Sequence, residues 1–318
     1  MILHFLTDNK FSEYVLRQFS PTEMSSKFVV ITENDYLSNV YSETKVSILR
    51  PYSDDFYRLV NQLSDYKAVV FHGLFWPWEE YVLKIVPSNV KVAWMFWGGE
   101  IYGRNDIKYS FLAPLTKRLF LWKNIKHTIQ RLGKKEVSYE IPKELFNRID
   151  YCLTDIPGEY CFAKDYLGNS MSHIWYNYYS IEDTLGDAVE LSVQGDNILV
   201  GNSGTIEGNH LDVLRLIDER DMAGRKVIVP LSYGDSWLKT RIKKEGKARL
   251  KNTFVPLTDF MPRSEYNHVL STCSTVIMNH YRPQAMGNII TTLWLGARVF
   301  MSAKSIQYKY LKDNGLVL

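Results

Sequence analysis

ILVGNSGTIEGNH, residues 198–210, is a short apolar run that ends in a polar turn flanked by two glycines. Ile198, Leu199 and Val200 read as a buried strand, Gly201 and Gly204 permit a tight turn, and residues 211–219 carry apolar side chains at helical spacing. Strand, turn and helix in that order aim backbone N–H groups and a helix N-terminus at one point, which suits an anion such as a pyrophosphate. The same pattern also serves as a plain strand-to-helix connection, so the turn alone leaves both readings open.

The alternation continues on both sides. Downstream, strand candidates at 227–229, 253–255, 276–278 and 299–301 alternate with helical segments; upstream, apolar runs fall at 2–6, 28–31, 68–71, 90–96, 149–153 and 173–179. This predicts an α/β protein with two doubly wound, Rossmann-like sheets. An acidic and polar stretch at 181–197 is the expected linker, with a first domain at 1–180 and a second at 198–318. A chain of 318 residues is long enough to bury two cores.

Composition excludes several classes. A formal net charge of +3 does not call for nucleic acid, and no extended basic groove is visible. Aromatic residues make up 14 % of the chain, a surplus that suits half-wet surfaces such as sugar sites and membrane interfaces. Cys152, Cys161 and Cys273 form no C-x-x-C pair and read as buried thiols in a reducing compartment. The N-terminus reaches Asp8 too soon for a signal peptide, and no apolar run approaches the roughly 18 residues of a membrane span. The expected location is cytoplasmic.

Polar cargo collects where strands end. In open parallel sheets the functional loops lie at the carboxyl ends of strands. The run at 68–71 leads into His72 and Gly73, and that at 90–96 leads into Trp97, Gly98, Gly99 and Glu100. In the second half, one strand leads into Tyr233 and Gly234, and another into residues 279–288 with His280, Arg282, Gln284, Gly287 and Asn288. A helix N-terminus near 284–288 is expected to face the crevice of the 201–204 turn. Two helix N-termini plus Arg282 could hold a diphosphate without a metal. The P-loop, nucleophile-elbow, zinc-protease and G-x-G-x-x-G patterns are absent, as is the Asp-x-Asp of metal-dependent sugar-nucleotide enzymes. The Asp54–Asp55 pair reads as a solvated loop.

Residues 108–135 mix aromatic and aliphatic side chains with eight Lys or Arg and contain no acid. Such a segment suits a membrane interface, with Lys117, Arg118, Trp122, Lys123 and Lys126 as the contacting residues. A core helix with a solvated basic face explains it equally.

Five collinear segments carry a family resemblance: FHGLFW at 71–76, WMFWGGEIYG at 94–103, ILVGNSG at 198–204, VIVPLSYG at 227–234 and GARVF at 296–300. Together they resemble the bacterial TDP-N-acetylfucosamine:lipid II N-acetylfucosaminyltransferases, glycosyltransferase family 56, the 4-alpha-L-fucosyltransferase family. The resemblance implies a GT-B fold, two Rossmann-like domains facing across a cleft, with the acceptor site in the first and the donor site in the second. It implies transfer of 4-acetamido-4,6-dideoxygalactose from a TDP-sugar to a polyprenyl-diphosphate-linked saccharide in surface-polysaccharide assembly. The enzyme would then work peripherally on the inner face of the cell membrane, with no cofactor or metal. Within that frame Gly201, Asn202, Ser203, Gly204, Tyr233, Gly234, His280, Arg282, Gln284, Gly287 and Asn288 are the donor-site candidates. Gly73, Trp97, Gly98, Gly99 and Tyr102 are those for the acceptor. Glu100 is the first candidate for the base that deprotonates the acceptor hydroxyl and His72 the second; capping of the following turn is the other reading of Glu100, and a hydrogen-bonded core histidine that of His72. Many GT-B enzymes hold the ribose diol with a glutamate on the helix after the fourth donor-domain strand, yet no acid lies between Gln284 and Arg298. A thymidine donor lacks the 2′-hydroxyl, which favours TDP over UDP or GDP. Another nucleotide-sugar donor, or a two-domain sugar- or nucleotide-binding protein without chemistry, remains the alternative. Enzymes of this fold usually end in a helix that crosses to the first domain, so truncation after Gly315 is a further expectation.

Overall fold

The computed structural model describes residues 1–9, 11–20, 25–34, 36–37, 46–130, 139–217 and 223–317, with side chains at 124 and 126–130 left aside. The chain divides into two compact units. The first takes residues 1–104 and 137–179, the second residues 105–136 and 180–318.

The first unit holds seven parallel strands: β1 (Ile2–Leu6), β2 (Ser26–Ile31), β3 (Val46–Leu49), β4 (Ala68–His72), β5 (Lys91–Met95), β6 (Tyr151–Thr154) and β7 (Ser172–Trp175). Their spatial order is β3-β2-β1-β4-β5-β6-β7, so the winding reverses between β1 and β4. Helices α1 (Ser12–Phe19), α2 (Asp54–Val60), α3 (Pro77–Ile85), α4 (Gly99–Tyr102) and α6 (Pro157–Leu167) belong to this unit, and α5 (Pro114–Gln130) lies between the last two in the chain. Central strands are buried on both faces, as Val69, Val70 and Phe71 of β4 show, which is why they read as apolar runs. Strand β3 escaped the sequence reading because Ser47 and Ile48 are exposed on an edge. Asp54 and Asp55 correct the loop reading: they form the first turn of α2, whose N-cap Ser53 accepts the N–H of Phe56.

The second unit has five parallel strands: β8 (Asn197–Val200), β9 (Val227–Pro230), β10 (Phe254–Leu257), β11 (Cys273–Met278) and β12 (Arg298–Met301). The order β10-β9-β8-β11-β12 reverses between β8 and β11. Side-chain alternation splits the core between the faces: Ile198 and Val200 join one apolar cluster, Leu199 the other. Its helices are α7 (Ile181–Leu185), α8 (His210–Leu216), α9 (Ser236–Leu250), α10 (Arg263–Ser271), α11 (Met286–Trp294) and α12 (Ile306–Asp313).

Two expectations about domain limits are corrected. Residues 181–197 are not a bare linker: α7 is tied down by Arg263, which donates to the Thr184 carbonyl, and by Asn267, which donates to the Leu185 carbonyl at 3.3 Å and to the Asp187 carboxylate of the turn that follows at 2.6 Å. The segment at 105–136 belongs to the second unit, although the chain order suggested the first. Leu115 and Leu119 of α5 pack on the β8–β9 core, so one face is a core face. The thiols of Cys152 and Cys273 are buried as expected, whereas Cys161 is exposed.

Candidate functional site

The reversal between β8 and β11 is where an open α/β sheet leaves a crevice at its carboxyl edge. Gly201 ends β8 with φ +69, and a Cβ there would lie 2.2 Å from His210 Nε2. Gly234 ends the loop after β9 with φ +112, and its Cβ would lie 2.3 Å from the Gly204 carbonyl. These close approaches allow the two loops to pair as backbone: Gly204 N–H donates to the Tyr233 carbonyl at 2.8 Å, and Asp235 N–H to the Gly204 carbonyl at 3.1 Å.

Around this knot the structure gathers Asn202, Tyr233, Arg282 and Gln284. Gln284 Nε2 donates to Asn202 Oδ1 at 3.3 Å and to Thr205 Oγ1 at 3.0 Å, joining the β8 loop to the β11 loop. Asn202 Nδ2 reaches the Tyr233 hydroxyl at 3.5 Å, and the Tyr233 ring is exposed. Arg282 sits 3.5 Å from the Glu207 carboxylate, so the directional cation is positioned by an acid that the sequence reading passed over. Gly287 is exposed with no close neighbour, and Asn288 donates to the Tyr266 hydroxyl at 3.0 Å.

Several candidates fall elsewhere. The 201–204 turn does not open a helix: a 3-10 turn at Ile206–Gly208 and Asn209 at φ +50 intervene before α8. Ser203 is fully buried and shares a hydrogen bond with Thr205 at 3.1 Å. His280 is likewise fully buried, and burial lowers its pKa to about 3.

Asn209 and Asp212, which sequence reading missed, serve the architecture. Asn209 accepts the Ala113 N–H and donates to the Asn279 carbonyl, each at 2.8 Å. Asp212 accepts the N–H groups of Leu115 and Thr116 and the Thr116 hydroxyl, and so caps the start of α5. The signal was present: an Asn and an Asp at a helix start, with no capping use in their own helix.

In the first unit Glu100 occupies the first turn of α4, held by Gly98 at φ +89. It is 6 % exposed. Its Oε1 accepts Trp94 Nε1 at 3.2 Å and the Trp97 N–H at 3.3 Å, while Oε2 is buried with no hydrogen-bond partner among the described residues. Desolvation pushes the carboxyl up to about 7. A cavity of about 220 Å³ adjoins it, with Arg104, Tyr139 and Glu140 on its wall.

His72, the second base candidate, is corrected to a core residue. It is 3 % exposed, with Nε2 at 3.1 Å from His4 Nδ1 and Nδ1 at 3.2 Å from the Tyr178 hydroxyl. Burial, then the neighbouring His4, holds it neutral. Trp97 is half-buried and donates to the same hydroxyl at 2.7 Å. Gly73 brings its backbone against Phe75, Gly99 is exposed, and Tyr102 is buried at 2 %.

A crevice of about 470 Å³ opens at the carboxyl ends of β1, β2 and β3, lined by Asp8, Glu33, Asn34, Tyr52 and Trp76. Trp76 is 51 % exposed, on a loop that the buried Glu79 fixes by accepting the N–H groups of Phe75 and Trp76. Sequence reading missed the carboxylates, although the echo of Thr7-Asp8-Asn9 in Thr32-Glu33-Asn34 marks two strand ends alike.

On α5, Lys123 is not available to a surface as expected: it pairs with Asp235 at 3.1 Å and lies over the Trp237 ring. Lys117, Arg118 and Trp122 are exposed, and the Lys126 side chain lies outside the described residues. No helix is long and apolar enough to cross a membrane among the described residues.

Residues 158–318 match the model of the family described as 4-alpha-L-fucosyltransferase, glycosyl transferase group 56. Solved structures of the same architecture include Anabaena HepE in complex with UDP and glucose, at TM-score 0.58 and 11 % identity over 97 % of this chain and 82 % of that one. A Rickettsia africae glycosyltransferase aligns at TM-score 0.60 and 12 % identity, over 96 % of this chain and 79 % of that one. The lipopolysaccharide outer core galactosyltransferase WaaB aligns at 0.56 and 10 %, over 95 % and 80 %. Both units thus form a GT-B fold.

Proposed function

The chain belongs to glycosyl transferase group 56, the 4-alpha-L-fucosyltransferase family, and is a glycosyltransferase; from that premise we propose that it moves a 4-acetamido-4,6-dideoxygalactose-type sugar from a TDP donor to a polyprenyl-diphosphate-linked saccharide. The observation that carries this reading is the knot of Asn202, Tyr233, Arg282 and Gln284 at the β8–β11 reversal, beside a helix α11 that bears no acid. Such a site offers amide, hydroxyl and guanidinium groups to a diphosphate, while its carboxylate, Glu207, is engaged by Arg282.

The chemistry follows from where charge moves. The acceptor hydroxyl gives its proton to Glu100 as its oxygen bonds to the anomeric carbon. The bond from that carbon to the diphosphate breaks, and the leaving TDP carries the electron pair away. Arg282 and the neighbouring amides stabilise the growing negative charge, a role that needs no metal. Glu100 suits its part because a base titrating near neutrality is about half ionised there and a competent proton acceptor. The saccharide would lie against Trp76 and Tyr52, whose rings offer apolar faces while Asp8, Glu33 and Asn34 accept its hydroxyl protons.

Lys117, Arg118 and Trp122 of α5 support a peripheral place on anionic lipid at the inner face of the cell membrane. Titration calorimetry with TDP and UDP tests the donor. TDP is expected to bind more tightly; tighter UDP binding defeats the reading.

A further inference from the structure

We propose that a groove along the exposed face of α5 binds the diphosphate-bearing end of an isoprenoid lipid, an inference that rests on the lipid-linked acceptor above. The groove encloses about 760 Å³, and all its lining residues belong to the second unit. Leu121, Trp122 and Ile125 form its apolar wall, with Trp122 66 % and Ile125 55 % exposed. Each large apolar side chain left in water forgoes roughly 1.5–3 kcal/mol of burial, so a continuous wall of three marks a surface that something covers.

The charge lies to one side of that wall. Lys117 and Arg118 stand one turn earlier on α5, and Lys304 enters from the loop after β12, its ammonium 4.7 Å from the Tyr281 ring. Among the described residues no Asp or Glu lines the groove. Three cations beside a hydrocarbon wall complement one chemistry closely: a diphosphate joined to an isoprenoid chain. An acidic peptide would leave the apolar wall bare, and a free nucleotide would find neither carbonyl nor carboxylate side chain for its base. Tyr281 directly precedes Arg282, so a lipid diphosphate held here lies beside the donor loop.

Calorimetry on the full chain with farnesyl diphosphate below its micelle concentration tests the site, with inorganic pyrophosphate and farnesol as separate arms. Farnesyl diphosphate is expected to bind about ten-fold or more tightly than either fragment. The triple change Lys117→Ala, Arg118→Ala, Lys304→Ala and the double change Trp122→Ala, Ile125→Ala should each weaken it by about ten-fold, with thermal unfolding near that of the native chain. Equal affinity for pyrophosphate, insensitivity to both variants, or binding to anionic phospholipid vesicles without binding to farnesyl diphosphate overturns the proposal. TDP titrated into the native chain separates the outcomes: intact TDP binding with no farnesyl diphosphate binding defeats the groove alone, and absence of both defeats the TDP-donor reading as well.

Discussion

Glu100 divides its work between two oxygens. Oε1 satisfies two N–H donors, one from β5 and one from the loop that presents it, while Oε2 stays buried with no partner among the described residues, so one carboxylate fits both the capping role and the catalytic role. Replacement by Gln keeps the shape and removes the base, so Glu100→Gln should lower kcat by roughly 100-fold or more with TDP binding unchanged. In the native enzyme kcat/KM should rise with pH through about 7, where this carboxyl ionises. Stability should move the other way. The folded carboxyl holds its proton more tightly than the unfolded one, so its contribution is full below about pH 4.5 and is lost as pH rises through 7. Glu100→Gln escapes that loss, which is on the order of 3 kcal/mol, and its thermal midpoint should exceed the native one at pH 8 but not at pH 4. Near-native turnover in this variant would hand the role to a carboxylate of the open crevice, for which Asp8→Asn and Glu33→Gln are the comparison. The sequence offered Glu100 first and His72 second, because both follow apolar strands. What separates them is burial of the whole imidazole between His4 and Tyr178, a contact between residues 68 and 106 positions apart.

At the scale of elements, α5 shows how a helix can be claimed by a unit far from it in sequence. Its basic, aromatic composition supported both a core reading and an interfacial one, and each describes one side. Leu115 and Leu119 face the β8–β9 core, while Leu121, Trp122 and Ile125 face outward. Asp212 fixes this choice by capping the start of α5 from the first turn of α8. Asp212→Ala leaves two N–H groups and a hydroxyl without their acceptor, at a cost of about 1–3 kcal/mol. Limited proteolysis should then cleave within 105–136 faster than in the native chain, with the remainder of the second unit resistant. The glycine turn was legible as a turn but not as a helix start. Asn209 at positive φ and the 3-10 step before it are set by contacts to Ala113 and Asn279, which helical periodicity does not register.

For the molecule as a whole, the second unit is assembled from two separated pieces of chain. A fragment of residues 180–318 alone should leave the core surface under Leu115 and Leu119 open, bind hydrophobic dye and melt below a fragment in which 105–136 is joined to it. Equal melting of the two would show that α5 is an accessory. The strand-helix alternation, the second sheet and the placing of polar residues at strand ends were written in the sequence, because period, turn residues and apolar runs are local properties. The edge strand β3 and the start of α2 were not read, since an exposed edge hides the apolar run and a helix can begin on two acids.

The sequence by itself determined the two doubly wound α/β sheets, the segments that carry the family resemblance and the loops that hold Glu100, Asn202, Arg282 and Gln284, all of them set by neighbours along the chain. Only the tertiary structure decided which of those side chains reach a surface. It buried Ser203, His280, His72 and Glu100, tied Lys123 to Asp235, and moved α5 to the second unit. Burial and pairing depend on residues that meet across tens to more than a hundred positions, and no local pattern records which partner arrives.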